Sequence, residues 1–163
     1  MRKMRLILLF VSCMGCFTPP PFKSGLEGNK LPSFKLLLID SITSFDTNVL
    51  SDGKAIVLFY FTPSCPYCRA QTSTMLANMD ALKDIQFCLL TPAPFPAFKK
   101  FYTEYHLEKY NNITAGIDNN NSFGEHFKVT KVPYTAIYTH HKLLKQVIIG
   151  QIDAHKIRDL TTN

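Results

Sequence analysis

The sequence predicts an α/β domain, and three observations carry that prediction. Apolar runs of strand length, Phe34 to Ile39, Ala55 to Phe61 and Ile85 to Leu90, are separated by stretches long enough to form helices or loops. Two of the intervening stretches have helical spacing: Cys68, Met75, Leu76, Met79 and Leu82, then Phe98, Phe101, Tyr102 and Tyr105 at i, i+3, i+4 and i+7. The run from Ala55 to Phe61 is apolar throughout, which predicts a strand buried on both faces at the centre of a sheet.

The chain of 163 residues is one domain by length and can bury a core without disulfide staples. Its 46% hydrophobic and 18% charged content is ordinary for a globular protein. The net charge of +6 includes Arg2, Lys3 and Arg5 at the N-terminus. Without them about +3 remains, with no Arg/Lys stripe, so nucleic-acid binding has no support.

In chain order, Met1 to Arg5 is a short basic region and Leu6 to Met14 a compact apolar one, too short to span a bilayer. Gly15-Cys16 then reads as the end of a bacterial lipoprotein signal, with Cys16 the candidate lipidation site. Cys13 is a second candidate, though it leaves a very short apolar region, and simple secretion is the other export route. The organisation expected is a signal over residues 1–16, a tether over 17–31 containing Pro19-Pro20-Pro21, and a folded domain over 32–163. Export places the cysteines in an oxidising compartment, at the cell envelope or periplasm.

Phe34 to Ile39 is the first expected strand, and Asp40 to Asp52 reads as a polar connection with little regular pattern. Asp52-Gly53 is a turn before the strand Ala55 to Phe61. A helix runs to about Lys83, followed by the strand Ile85 to Leu90, a proline-rich loop and the aromatic helix. The aromatic stripe of that helix is read as core-facing, not as a groove. Ile113 to Ile117 is a short strand and Ser122 to Phe127 a short helix with Phe123 and Phe127 inward. Asn119-Asn120-Asn121 is a loop. Tyr134 to Tyr138 and Leu143 to Ile149 form a hairpin, and Asp153 caps a last helix carrying Ile157 and Leu160.

The chemistry-bearing stretch is Phe61-Thr62-Pro63-Ser64-Cys65-Pro66-Tyr67-Cys68-Arg69. It sets two thiols with two residues between them where a buried strand gives way to a helix, the arrangement for reversible dithiol–disulfide chemistry. A structural disulfide or a zinc half-site are the alternatives; zinc needs further ligands, and the only other Cys pair, Cys13 and Cys16, lies in the expected signal. Cys88 falls in a central strand and reads as a buried, inert thiol. His140 and His141 fall at a hairpin tip, with no metal expected there.

This order of elements, with Phe59 to Cys68, Lys131-Val132-Pro133-Tyr134 and Gly150, resembles the thioredoxin fold. It is most similar to the exported thioredoxin-like (redoxin) group that includes the TlpA and ResA type of membrane-anchored thiol–disulfide oxidoreductases, over roughly residues 32 to 161. The resemblance implies a three-layer α/β/α domain with a central mixed sheet and an N-terminal extension. It implies that Cys65, at a helix N-terminus whose unpaired N–H groups favour a thiolate, is the nucleophile and Cys68 the resolving thiol. Pro66 fits the first helical turn, and Tyr67 completes the dipeptide between the thiols. Pro133 matches the family's cis-proline, and the Val132 backbone is placed to pair with an extended substrate segment.

The partners implied by the resemblance are proteins bearing cysteines or disulfides, a membrane electron donor, and a membrane held through a lipid anchor. The chain is expected to be a monomer, with no cofactor beyond the Cys65–Cys68 couple. The direction implied by the family is reduction. A peroxiredoxin-like peroxidase using Cys65 with Thr62 three residues before it, and a non-catalytic binding module, are the competing readings. Three departures stand out: Ser64 precedes Cys65 where relatives commonly carry Trp, Phe59 replaces a buried acid, and Gln71 stands where Glu is frequent. The carboxylate that would assist proton transfer from the second thiol is therefore missing from its usual places.

Overall fold

A computed structural model describes residues 22–162. Seven strands form one sheet in the order β2-β1-β5-β4-β3-β6-β7. These are β1 (Lys35–Leu37), β2 (Ser44–Asp46), β3 (Ile56–Tyr60), β4 (Gln86–Thr91), β5 (Ile113–Ile117), β6 (Tyr134–Tyr138) and β7 (Leu144–Ile149). Strands β3, β4 and β5 run parallel, whereas β6, β7, β1 and β2 pair antiparallel with their neighbours. The helices are α1 (Pro66–Ala77), α2 (Met79–Leu82), α3 (Phe95–Glu104), α4 (Ser122–His126) and α5 (Ala154–Thr162).

All five residues of β3 are buried because the sheet is covered on both sides, which explains the unbroken apolar run. Val57, Phe59 and Phe61 point into a core shared with α1, α2, α3 and α5. Ile56, Leu58 and Tyr60 point the other way, into a core closed by Phe123 of α4, by Phe127 at its C-cap, and by Leu31, Phe34 and Leu50. The period-two alternation of strand side chains thus splits one apolar run between two layers. Right-handed parallel crossovers place α1 and α3 on the same face, in agreement with their shared core. This is a three-layer thioredoxin fold, as expected.

The aromatic stripe is core-facing at Phe98 and Phe101, which are fully buried, while Tyr102 and Tyr105 sit half-buried at its edge. Asp153 caps the last helix, its carboxylate accepting from the His155 N–H at 2.7 Å. Cys88 is fully buried, and desolvation raises its pKa.

Three local readings are corrected. The segment from Asp40 to Asp52 is not irregular: Asp40 accepts from the Ile42 and Thr43 N–H groups, and the chain turns back into β2, which pairs with β1. A three-residue edge strand with one exposed and two half-buried residues leaves no alternation to detect. The helix expected to run to Lys83 breaks at Asn78, whose side-chain amide donates to the Thr74 carbonyl at 2.8 Å and whose N–H closes a tight turn on Met75. The tether expected over 17–31 is docked at its end. The Gly28 N–H donates to the Leu144 carbonyl, Leu144 N–H to Asn29, and Leu31 N–H to Lys142, each at 2.8 Å. Residues 28–31 thereby cover the start of the β7 edge, and Leu31 is buried. The proposed signal and its Cys13 and Cys16 lie outside the described residues, as does the first part of the tether. Among the described residues no helix is long and apolar enough to cross a membrane.

Gly116 in β5 lets β1 approach: a Cβ there would lie 2.8 Å from the Leu36 Cβ and 2.9 Å from the Leu37 carbonyl oxygen. Because the second contact is backbone, β1 itself must move to relieve it. Gly116→Ala is expected to destabilise the domain by about 1–3 kcal/mol, read as a lower urea midpoint at unchanged slope. An unchanged midpoint would show that β1 adapts freely.

Candidate active site

The site begins where β3 ends. The Phe61 N–H donates to the Leu90 carbonyl at 3.0 Å, carrying the β3–β4 ladder one residue further, and the chain then turns over Thr62 to Ser64. Cys65 closes this turn, its N–H donating to the Thr62 carbonyl at 3.1 Å. It is the N-cap of α1, in extended geometry, and Pro66 occupies the first helical turn, where a missing N–H costs nothing.

The Cys65 sulfur has two partners. It accepts from the Cys68 N–H at 3.4 Å, as a capping group does, and its thiol donates to the Val132 carbonyl at 3.8 Å. The second contact joins residues 67 positions apart in sequence. It arises because β3 and β6 pair directly, Tyr60 opposite Tyr134, so the chain entering β6 passes beside the end of β3. The Val132–Pro133 peptide bond is cis. Gly150, at φ +93°, donates its N–H to the Pro133 carbonyl at 2.8 Å. That left-handed conformation favours glycine and extends the β6–β7 pairing beneath the proline.

The two thiols differ in environment. Cys65 is half-exposed, whereas Cys68 is fully buried among Phe59, Phe61 and Met75. Burial pushes the Cys68 thiol up to about 12, and the neighbouring Cys65 adds to the rise. Cys65, Cys68 and Cys88 are all free thiols. The Cys68 carbonyl accepts from the Thr72 hydroxyl at 3.0 Å, which pins the first turn of α1 from within.

Phe59, in the position of the missing acid, stacks on Phe61 with ring centroids 5.6 Å apart. Gln71 is fully engaged elsewhere: its Nε2 donates to the Ile152 carbonyl at 2.9 Å, and its Oε1 accepts from the Ile152 N–H at 2.6 Å. Buried and doubly bonded, it clamps α1 to the segment leading into α5. No carboxylate is among the groups acting on Cys68.

Sequence reasoning placed Cys65, Pro66, Tyr67, Cys68, Val132 and Pro133 at one site, and the structure brings all six together. Tyr67 is 65% exposed and, with Val132, Pro133 and Ile149, borders a depression of about 430 Å³. Cys16 lies outside the described residues. A second depression, of about 520 Å³, opens on the other flank between Pro63-Ser64 and α3 and was not foreseen. Arg69 sits in its wall, ion-paired with Glu104 and stacked over the Tyr105 ring at 5.3 Å. The Tyr105 hydroxyl donates to the Arg69 carbonyl at 3.2 Å. Arg69 directly follows the motif, but nothing local indicates a partner 35 residues away.

The Redoxin family model matches residues 26–159. The chain belongs to the redoxin family. Among solved structures, a secreted Mycobacterium tuberculosis disulfide oxidoreductase homologous to E. coli DsbE aligns with a TM-score of 0.65 at 21% identity, covering 78% of this chain and 92% of that one. StoA from Bacillus subtilis aligns with a TM-score of 0.61 at 12% identity, covering 79% and 96%. A putative thiol:disulfide interchange protein DsbE from Chlorobium tepidum gives 0.64 at 16% identity, covering 80% and 89%. At these identities the likeness establishes the fold. No curated protein matches the chain.

Two outcomes are expected of this redoxin site. In the native reduced protein at neutral pH, iodoacetamide should modify Cys65 faster than Cys68 or Cys88 by about tenfold or more, followed by peptide mass mapping. Equal rates at Cys65 and Cys68 would contradict the difference in burial. Gln71→Ala, which leaves the Ile152 N–H and carbonyl without their partner, should cost about 2–4 kcal/mol in urea unfolding. A cost near zero would mean that the clamp is replaced by water.

Proposed function

We propose that the chain is an extracytoplasmic thiol–disulfide oxidoreductase that exchanges its Cys65–Cys68 disulfide with partner proteins, working as a reductase. The observation that carries this reading is the pair of free thiols in unequal settings. Cys65 is accessible and caps α1, and Cys68 waits one turn behind it in the core.

The reaction follows from that placement. The Cys65 thiolate attacks one sulfur of a partner disulfide, forming a mixed disulfide and releasing the partner's first thiolate. Cys68 then loses its proton and attacks the Cys65 sulfur, forming the Cys65–Cys68 disulfide and freeing the partner's second thiolate. The partner gains two electrons and this chain loses two. Because burial holds the Cys68 thiol at about 12, it is a poor nucleophile until its proton has a destination. With Phe59 and Gln71 in place of carboxylates, the departing partner thiolate is the base that the chemistry itself supplies. The Val132 carbonyl, already bonded to the Cys65 thiol, lies where an extended partner backbone would run.

Export is supported by the basic-then-apolar N-terminus and by the same fold in a secreted disulfide oxidoreductase. Lipidation at Cys16 would hold the domain at the membrane through residues 17 onward, near the membrane electron donor that a reductase in an oxidising compartment needs. The chain acts as a monomer with no cofactor beyond the dithiol couple. The peroxidase reading gains nothing from the site: the Cys65 sulfur is bonded to the Cys68 N–H and the Val132 carbonyl, not to the Thr62 hydroxyl.

Reduced protein should reduce insulin disulfides, Cys65→Ser should abolish that activity, and Cys68→Ser should accumulate a mixed disulfide visible on non-reducing gels. Consumption of hydrogen peroxide in place of insulin would overturn the reading in favour of a peroxidase. Equilibration against glutathione should give a potential more negative than about −200 mV, and one near about −120 mV would make the protein an oxidant.

A further inference from the structure

The rim around Cys65 is electrically one-sided. The depression beside Ser64 is walled by Arg69, Lys100 and Glu104, and an adjoining one of about 710 Å³ on α3 adds Lys99. Across the motif, the depression under Tyr67 and Pro133 carries Lys131. The rim therefore holds four cations and one carboxylate. Residues 22–162 contain fifteen Lys and Arg and twelve Asp and Glu, so away from the rim eleven cations face eleven acids. The excess of positive charge in the described residues is thus carried by residues lining these three depressions, two of which border the motif.

Glu104 is committed to Arg69, leaving Lys99, Lys100 and Lys131 to set the field. All three are exposed: Lys131 next to Val132 on one flank, Lys100 of α3 on the other, and Lys99 farther along α3 in the adjoining depression. Between them the accessible apolar groups are Tyr67, Val132 and Ile149 on one side and Pro63 and Ala97 on the other, with Ser64 and Gln151 among them. An extended segment crossing such a site meets apolar contacts near its cysteine and cations farther out.

We propose that the partners of this site are protein segments whose reactive cysteine or disulfide is flanked by Asp or Glu. The inference rests on the redox reading of Cys65 and adds the substrate class to it. Exposed charges of this kind act on encounter more than on the bound complex, so the preference belongs in the association rate and weakens with salt.

The experiment is single-turnover exchange between the reduced protein and two disulfide-bearing peptides that differ only in Glu or Lys on either side of the cysteine. Hydroxyethyl disulfide serves as an uncharged reference. At low ionic strength the Glu peptide should react about tenfold faster than the Lys peptide, and the two rates should converge in high salt. In K99E/K100E/K131E the ratio of the two peptide rates should fall below one; as a ratio within one protein, it is insensitive to the fraction folded. Equal peptide rates, a preference for the Lys peptide, or a preference that salt leaves unchanged would overturn the proposal while hydroxyethyl disulfide still reacted. No reaction with any of the three disulfides would instead overturn the redox reading, and the proposal with it.

Discussion

The antiparallel ladder between β3 and β6 is the constraint on which the site depends. Its register, from Ile56 opposite Tyr138 to Tyr60 opposite Tyr134, is set by side chains that must all be buried on one face or the other. A slip of one residue would turn Val57, Phe59 and Ile137 out of one core and into the other. Because the register is held so firmly, the residues just beyond it are placed as well. Cys65 leaves β3 at the same end at which Val132 and Pro133 enter β6, and the Cys65 sulfur meets the Val132 carbonyl.

Around that junction the two thiols are given opposite surroundings by one helix. The first turn of α1 lifts Cys65 to the surface as a cap, and the helix axis carries Cys68 inward against Phe59, Phe61 and Met75. The same burial that keeps Cys68 from reacting with bulk reagents raises its pKa, so its reactivity is tied to the arrival of a base with the partner. Where a carboxylate is absent, the neighbourhood of Cys68 is built for packing: Phe59 stacks in the core, and Gln71 ties α1 to Ile152. Substituting an apolar ring and a neutral amide for acids removes the cost of burying a charge beneath the site.

The outer rim is organised by separate elements. Arg69 from α1 reaches Glu104 of α3, and Tyr105 fixes Arg69 from below, so the wall beside Ser64 is a joint product of two helices on the same face of the sheet. Lys131 reaches the opposite flank from the loop before Pro133. Charge that looks evenly scattered along the chain is gathered around one site by the fold.

Short-range pattern determined much of this protein. The apolar run of β3, the spacing of Cys65 and Cys68, the helical stripe of Phe98 and Phe101 and the hairpin of β6 and β7 were all legible. Each is written within a few residues, and the physics that reads it, periodicity and capping, is local. The edge strand β2 and the break at Asn78 were not, because one exposed and two half-buried residues carry no periodic signal and a single side chain can end a helix. Other features belong to tertiary structure alone: the docking of residues 28–31 on β7, the Gln71 clamp on a residue 81 positions away, the Arg69–Glu104 pair and the cationic rim. Each joins residues that sequence separation hides, and only burial, register and the crossing of helices over a sheet bring them within reach.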